Sequence, residues 1–246
     1  GTSAPSNASA SFTPLALPRA IIQLANNADT VSLEFVDMGT SGNTTDFGDL
    51  TVDRYSLDAC GSSTRAVFGG SAAKSNVIDY VTIASVGNAT DFGDLTDGRG
   101  GLGSLSSNVR GIWAGGEGSS NPVDIIDYIT LASTGNALDF GNLTEGRKQS
   151  EGTASSTTRG LQGGAELPSA SYTAGINFVT IQSTGNATDF GDTTDSAGSK
   201  AGNSNSTRAT FSGGDQPSVV NIIDFITIAS TGNATNFGDL TVARAY

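Results

Sequence analysis

Asp91-Phe92-Gly93, within the stretch GNATDFGDLT from Gly87 to Thr96, is the triplet with which protein kinases hold magnesium. Asp91 and Asp94, with Asn and Thr beside them, could also offer calcium some of the roughly six to eight oxygens it takes. The phrase does not stand alone. It returns as GNTTDFGDLT at Gly42, GNALDFGNLT at Gly135, GNATDFGDTT at Gly185 and GNATNFGDLT at Gly232. A catalytic metal site needs one copy, so five evenly spaced copies describe a building unit. The acidic pair also decays, to Asp139/Asn142 and Asn236/Asp239, and no EF-hand or nonapeptide calcium spacing is present. No cofactor is therefore expected, with calcium at Asp91 and Asp94 as the minor alternative.

Other chemistry is narrowed by what the chain is made of. Histidine is absent, which removes the usual zinc and copper ligand, the usual general base and the Ser-His and Cys-His nucleophile pairs. A single cysteine, Cys60, allows no intrachain disulfide. Twenty-four acids against 12 bases give a formal charge of -12, which argues against a phosphate-binding surface and hence against nucleic acid. No apolar run approaches the roughly 20 residues that span a bilayer. The opening GTSAPSNASASFTPLALPR lacks the order of an uncleaved signal peptide and reads as a mature or processed terminus. Gly98 to Gly103 matches G-x-G-x-x-G formally but belongs to no βαβ unit, so a dinucleotide site is not expected. Asn-x-Thr at Asn43, Asn88, Asn186 and Asn233 follows Gly each time, which suits a tight turn with Asn in a left-handed conformation better than a glycan acceptor. Trp113, the one Trp, replaces the Phe of a strand and is expected in the core.

The elements that position these residues follow from the repeat. The phrase-opening glycines are 45, 48, 50 and 47 residues apart. A second landmark is an arginine, at Arg19, Arg65, Arg110, Arg159 and Arg208, usually as T-R-x-x-F-G-G. A third is LEFVDM at Leu33, IDYVTI at Ile78, IDYITL at Ile126, INFVTI at Ile176 and IDFITI at Ile223, alternating apolar and polar residues as half-buried strands do. One unit, Arg54 to Thr96, reads as four strands: RYSLDAC, TRAVFGG, VIDYVTIA and ATDFGDLT. Four short antiparallel strands per unit, five times, with 33 glycines for the turns, predict an all-β, single five-bladed β-propeller. A solenoid would have shorter coils and fewer reversals.

The expected blades are approximately 8–51, 52–96, 97–144, 145–194 and 195–241, with 1–7 an N-terminal extension and 242–246 a C-terminal tail. Closure needs a missing innermost strand. Ser9 to Leu17 (SASFTPLAL) is the favoured donor, and VARAY at the C-terminal end is the alternative.

Through R-x-x-F-G-G, I-D-Y and D-F-G-D-L-T-x-x-R, the unit resembles the Kelch family of propellers, with Phe47, Phe92, Phe140, Phe190 and Phe237 where that family usually has Trp. The wording IDYITIASTGNATDFGDLT is similar to repeat proteins predicted in genomes of marine phages and large algal viruses, described as virion or tail-fibre-like. That resemblance implies a virion or extracellular location, host attachment, and partners among other structural proteins or copies of itself.

Charge follows the repeat as well. Nine of the 12 bases are the five strand arginines and Arg54, Arg99, Arg147 and Arg244 after the fourth strand. Only Lys74, Lys148 and Lys200 fall outside. Facing the arginines are Glu34, Asp79, Asp127, Asn177 and Asp224 on the third strand and the Asp91/Asp94 pair, so Arg–carboxylate links are expected, including links from the strand arginines to Asp91 and Asp94. The five phenylalanines are expected between blades, with Gly93 at a turn or bulge.

The segments after Gly-Gly differ in length and content: SAAKSNV, EGSSNPVDI, AELPSASYTAG and DQPSVVNI. Variation on one face of a rigid scaffold points to recognition there, and Lys74, Glu117, Asn121, Pro168, Tyr172, Asp215 and Gln216 are the candidate contacts. The expected function is a non-enzymatic structural or attachment module such as a virion surface, fibre or decoration protein. The alternative is a carbohydrate-binding, lectin-type propeller, its partners cell-surface glycans. No catalytic residue is identified, because no acidic pair breaks the repeat as an active site would.

Overall fold

The computed structural model describes residues 18–23, 31–119, 121–216 and 218–245. It is an all-β, five-bladed propeller. The first blade holds β1 (Arg19–Gln23), β2 (Ser32–Asp37) and β3 (Thr45–Asp49). The second has β4 (Asp58–Gly61), β5 (Arg65–Gly69), β6 (Val77–Thr82) and β7 (Thr90–Asp94), and the third β8 (Gly103–Ser106), β9 (Arg110–Ala114), β10 (Val123–Thr130) and β11 (Leu138–Arg147). The fourth has β12 (Thr153–Ser155), β13 (Arg159–Glu166), β14 (Tyr172–Thr180) and β15 (Thr188–Asp192). In the fifth, β16 (Ala201–Ser204), β17 (Arg208–Ser212), β20 (Ile222–Thr227) and β21 (Thr235–Asp239) form the sheet. A ribbon, β18 (Asp215–Gln216) and β19 (Ser218–Val219), decorates its second-to-third loop. Strands pair antiparallel in chain order within each blade.

The register explains the repeated phrase. Ile78 opposes Gly93 and Asp79 opposes Asp91, so Phe92 is the extra residue of a bulge. The same shift recurs at β2/β3, β10/β11, β14/β15 and β20/β21. The bulge turns Phe92 into the joint with the third blade, and Gly93 takes φ +146°, a region that favours glycine. A Cβ there would lie 2.5 Å from the carbonyl carbon of Gly135 in that blade.

Four apolar clusters lie among the described residues, one at each joint between successive blades. Phe92, for example, packs with Ile129, Leu131 and Ala137 of the third blade. Backbone bonds run along the same line: Gly87 N–H donates to Phe47 O at 2.8 Å and Ala89 N–H to Asp49 O at 2.7 Å, a pair repeated by Gly135/Ala137, Gly185/Ala187 and Gly232/Ala234.

Two sequence expectations change here. The asparagines of the S-x-G-N turns are not the left-handed residues; the glycines before them carry the positive φ. Asn88 Oδ1 instead accepts the Asp49 N–H at 3.1 Å, and Asn136, Asn186 and Asn233 serve Asp94, Asn142 and Asp192 in the same way. The strand arginines do not pair with the D-F-G-D acids. Each sits 4.5 to 4.9 Å over the third-strand ring, Phe35, Tyr80, Tyr128, Phe178 or Phe225, which meets the D-F-G phenylalanine edge-on. Arg19, Arg65, Arg110 and Arg159 then donate to Ile83, Leu131, Ile181 and Ile228 carbonyls of the following blade. A guanidinium stacked on a ring face keeps its in-plane N–H groups free for such carbonyls.

Three of the other four arginines meet carboxylates, and the fourth, Arg244, instead donates to the Val242 carbonyl at 3.4 Å. Arg54 pairs with Asp79 at 2.7 Å and Arg99 with Asp127 at 2.8 Å, all four side chains buried. Where the fourth blade has Asn177, Arg147 turns to Glu145 at 3.0 Å and to the Gly175 carbonyl at 2.6 Å. In the fifth blade Lys200 takes over, bonded to Asp195 at 2.7 Å and to Gly213 O at 3.3 Å.

Ser9 to Leu17, the expected closing strand, lies outside the described residues, and 241–245 forms no strand. Between the fifth and first blades the repeated joint is not made among the described residues: Phe237 is 60% exposed, against at most 2% for its four equivalents.

Candidate functional site

The innermost strands start from a segment that turns at the propeller centre. Its turning residues are Ser56, Gly101, Gln149 and Ser199, with φ of 58°, 60°, 50° and 50°. Three of the four are not glycine, although a left-handed backbone opposes a Cβ by on the order of 1 kcal/mol or more. They are tied in sequence: Gly101 N–H donates to Ser56 O at 3.1 Å and Ser199 N–H to Gln149 O at 2.9 Å. This arrangement brings the side chains of Ser56, Gln149 and Ser199 to the rim of one cavity of about 250 Å³, lined also by Lys74, Glu117, Lys148 and Glu151. Four blades contribute, so the cavity lies where the innermost strands converge.

Lys74 itself has φ 62°. Its Nζ donates to the Glu117 carbonyl at 2.9 Å and lies 3.3 Å from Glu117 Oε2. Lys148 Nζ lies 3.7 Å from Glu117 Oε1 and 3.3 Å from Glu166 Oε1. The rim is therefore an alternating chain of charge, Lys74–Glu117–Lys148–Glu166. Below it, Gln149 Oε1 and Glu151 Oε2 are enclosed and accept no hydrogen bond among the described residues. Burial pushes the Glu151 carboxyl up to about 7, with Asp58 and Asp215 adding repulsion. Burial also raises Asp58 to about 6, although the Ala59 and Ser104 N–H groups oppose the shift.

Of the residues named from sequence, Lys74 and Glu117 line this cavity. Tyr172 and Asp215 stand beside it: the Tyr172 ring borders Gly198, and burial with the Asp215 and Glu166 carboxylates raises the Tyr172 hydroxyl. Asp215 Oδ1 is another enclosed acceptor without a donor among the described residues. Asn121 and Pro168 are exposed at their loop tips, away from the cavity lining, and Gln216 lies in β18. Sequence reasoning missed Ser56, Lys148, Gln149, Glu151 and Ser199. The available signal was that Lys148 and Glu151 break the small, neutral character of the innermost segments, and that Lys148 stands outside the arginine repeat.

Asp91 is exposed and Asp94 half-buried. No group of three Asp, Glu, His or Cys side chains gathers there or elsewhere among the described residues. Trp113 is fully buried against Gly69, its Nε1–H donating to Asp58 O at 3.1 Å. Cys60 is buried and unpaired, its thiol pushed up by burial.

No family model matches the chain. No curated protein matches it either. Among solved structures, the structure of YjhT superposes with a TM-score of 0.74 at 11% identity, covering 93% of this chain and 83% of that one. At that identity the likeness concerns architecture alone, and it places the chain among β-propellers.

Proposed function

We propose that this protein is a non-enzymatic attachment module that takes the end of a glycan, or another small polyhydroxylated ligand, in the cavity at its propeller centre. One observation carries the reading: Gln149 Oε1 and Glu151 Oε2 are enclosed beside that cavity with no donor among the described residues. A buried acceptor left unpaired costs about 1–3 kcal/mol, and a ligand rich in hydroxyl groups supplies donors. Lys74 and Lys148 add N–H donors, and Ser56 and Ser199 add hydroxyls that both donate and accept. This chemistry suits a polar ligand better than an apolar one.

The Kelch-like wording of the repeat and its likeness to virion and tail-fibre-like proteins support an attachment role at a virion surface or outside the cell. Two of the variable loops reach the same cavity, through Lys74 and Glu117, and would help set which ligand enters. Glycan-array binding and thermal shift with a sugar panel test the reading. Stabilisation by specific sugars, lost in Lys148→Ala and Glu151→Leu, is the expected result. Absence of any response across the panel would remove the lectin-type reading.

A further inference from the structure

The floor of the central cavity lacks a positive charge. Two lysines reach its rim, and both are engaged there: Lys74 Nζ lies 3.3 Å from Glu117 Oε2, and Lys148 Nζ lies 3.3 Å from Glu166 Oε1 and 3.7 Å from Glu117 Oε1. Lys200, next in the chain to the cavity residue Ser199, is bonded to Asp195 at 2.7 Å. Glu151 is left without an ion pair among the described residues, its one internal donor being its own backbone N–H. Asp58 and Asp215 act on it as further negative charges. Its Oε2 and Gln149 Oε1 are enclosed acceptors without a donor, and both side chains line the cavity. A buried carboxylate without a counterion is unfavourable, so what the floor lacks is a donor group that carries positive charge.

We propose that this floor is a subsite for a primary ammonium group of the ligand, held by Glu151 Oε2 and Gln149 Oε1. The inference rests on the reading of the cavity as a glycan site and sharpens it: the matching ligand class is an amino sugar whose amine is free. An ammonium carries three N–H donors and no acceptor, so it serves both orphan oxygens and keeps a third donor for a hydroxyl such as that of Ser56 or Ser199. A neutral hydroxyl has a single donor and brings no charge. A bare metal ion fits less well. Calcium takes roughly six to eight oxygens, no group of three acidic side chains gathers among the described residues, and a cavity of about 250 Å³ far exceeds the roughly 10–15 Å³ that one water needs. The remaining space admits the sugar ring, with Lys74 and Lys148 at the rim for its hydroxyl oxygens. An acetylated amine has lost its charge and offers one N–H, so it leaves the floor unsatisfied.

Calorimetric titration of the full chain near neutral pH with glucosamine, N-acetylglucosamine, glucose and ethanolamine tests this. Glucosamine is expected to bind about tenfold or more tighter than the other two sugars, the range of a hydrogen bond to a charged group. Glu151→Gln should bring glucosamine down to the affinity of glucose and leave glucose itself within a few-fold. Asp91→Asn removes the same charge at an exposed position and should keep the preference, which separates the subsite from the general attraction of an acidic chain for amines. Equal affinity for glucosamine and glucose overturns the ammonium subsite and leaves the glycan reading standing, as does a preference that Asp91→Asn weakens as much as Glu151→Gln. Ethanolamine binding that depends on Glu151, with no sugar bound, upholds the subsite and removes the glycan reading. No binding by any of the four overturns both.

Discussion

Thr51 Oγ1 donates to Asp79 Oδ1 at 2.6 Å while Arg54 Nη2 holds Asp79 Oδ2 at 2.7 Å. One buried carboxylate thus fastens the exit of the first blade to the third strand of the second and fixes the arginine that opens the second blade. Thr96, Arg99 and Asp127 repeat the arrangement one blade on.

Asp127→Asn tests that joint. Arg99 is fully buried, and the amide would leave its charge without a counterion. Breaking a buried pair by removing one partner costs about 3–5 kcal/mol, and chemical denaturation should show a loss of that order. Asn177→Asp runs the other way. Arg147 now turns aside to Glu145, which is 41% exposed, and a carboxylate at 177 gives it the partner its equivalents have. That variant should melt at or above the native temperature.

Gly93→Ala and Gly238→Ala separate backbone strain from blade contact. Both glycines have strongly positive φ, +146° and +150°, so both variants carry the strain of about 1–3 kcal/mol expected for a non-glycine residue there. Only Gly93 faces another blade's backbone, at 2.5 Å. Gly93→Ala should therefore lose several kcal/mol, on the order of the largest single-site effects, and Gly238→Ala clearly less. Equal losses, measured at a concentration where the chain is monomeric, would mean that Gly238 is covered in solution.

The architecture was legible because propeller repeats write their strands, turns and bulge in the same letters each time. Period-two alternation at Ile78 to Ile83 located β6, and the five phenylalanines of the repeated phrase marked the blade edges. The arginine roles were legible only by half. Sequence pairs like with unlike charge, but Arg65 stacks on Tyr80 because β5 and β6 place Val67 opposite Tyr80 and Arg65 two residues further along the same face. The central cavity was less legible still. Lys74 and Glu117 stood out as loop variation, whereas Gln149 and Glu151 reach the cavity from segments that are 48 or more residues from Gly101 in the chain and adjacent to it only once the blades converge. Convergence on an axis leaves no local signature.

Glu151 gives the cavity a pH response with a definite sign. Its carboxyl titrates near 7 in the folded chain against an ordinary value of 4.5. A raised acid contributes stability that is fully present below the unfolded value, and that stability is lost as pH rises through the folded one. Stability should therefore fall between about pH 4.5 and pH 7 from this group, and Asp58, near 6 against 3.8, adds a parallel fall beginning at lower pH. Glu151→Gln keeps the shape and removes the ionisation, so at pH 8 the variant should be more stable by on the order of 1–2 kcal/mol, and at pH 4 indistinguishable from native. Urea unfolding at the two pH values measures this directly. A variant equally stabilised at both would place the cause in packing, and one destabilised at pH 8 would mean that the Glu151 anion is held by a partner in solution.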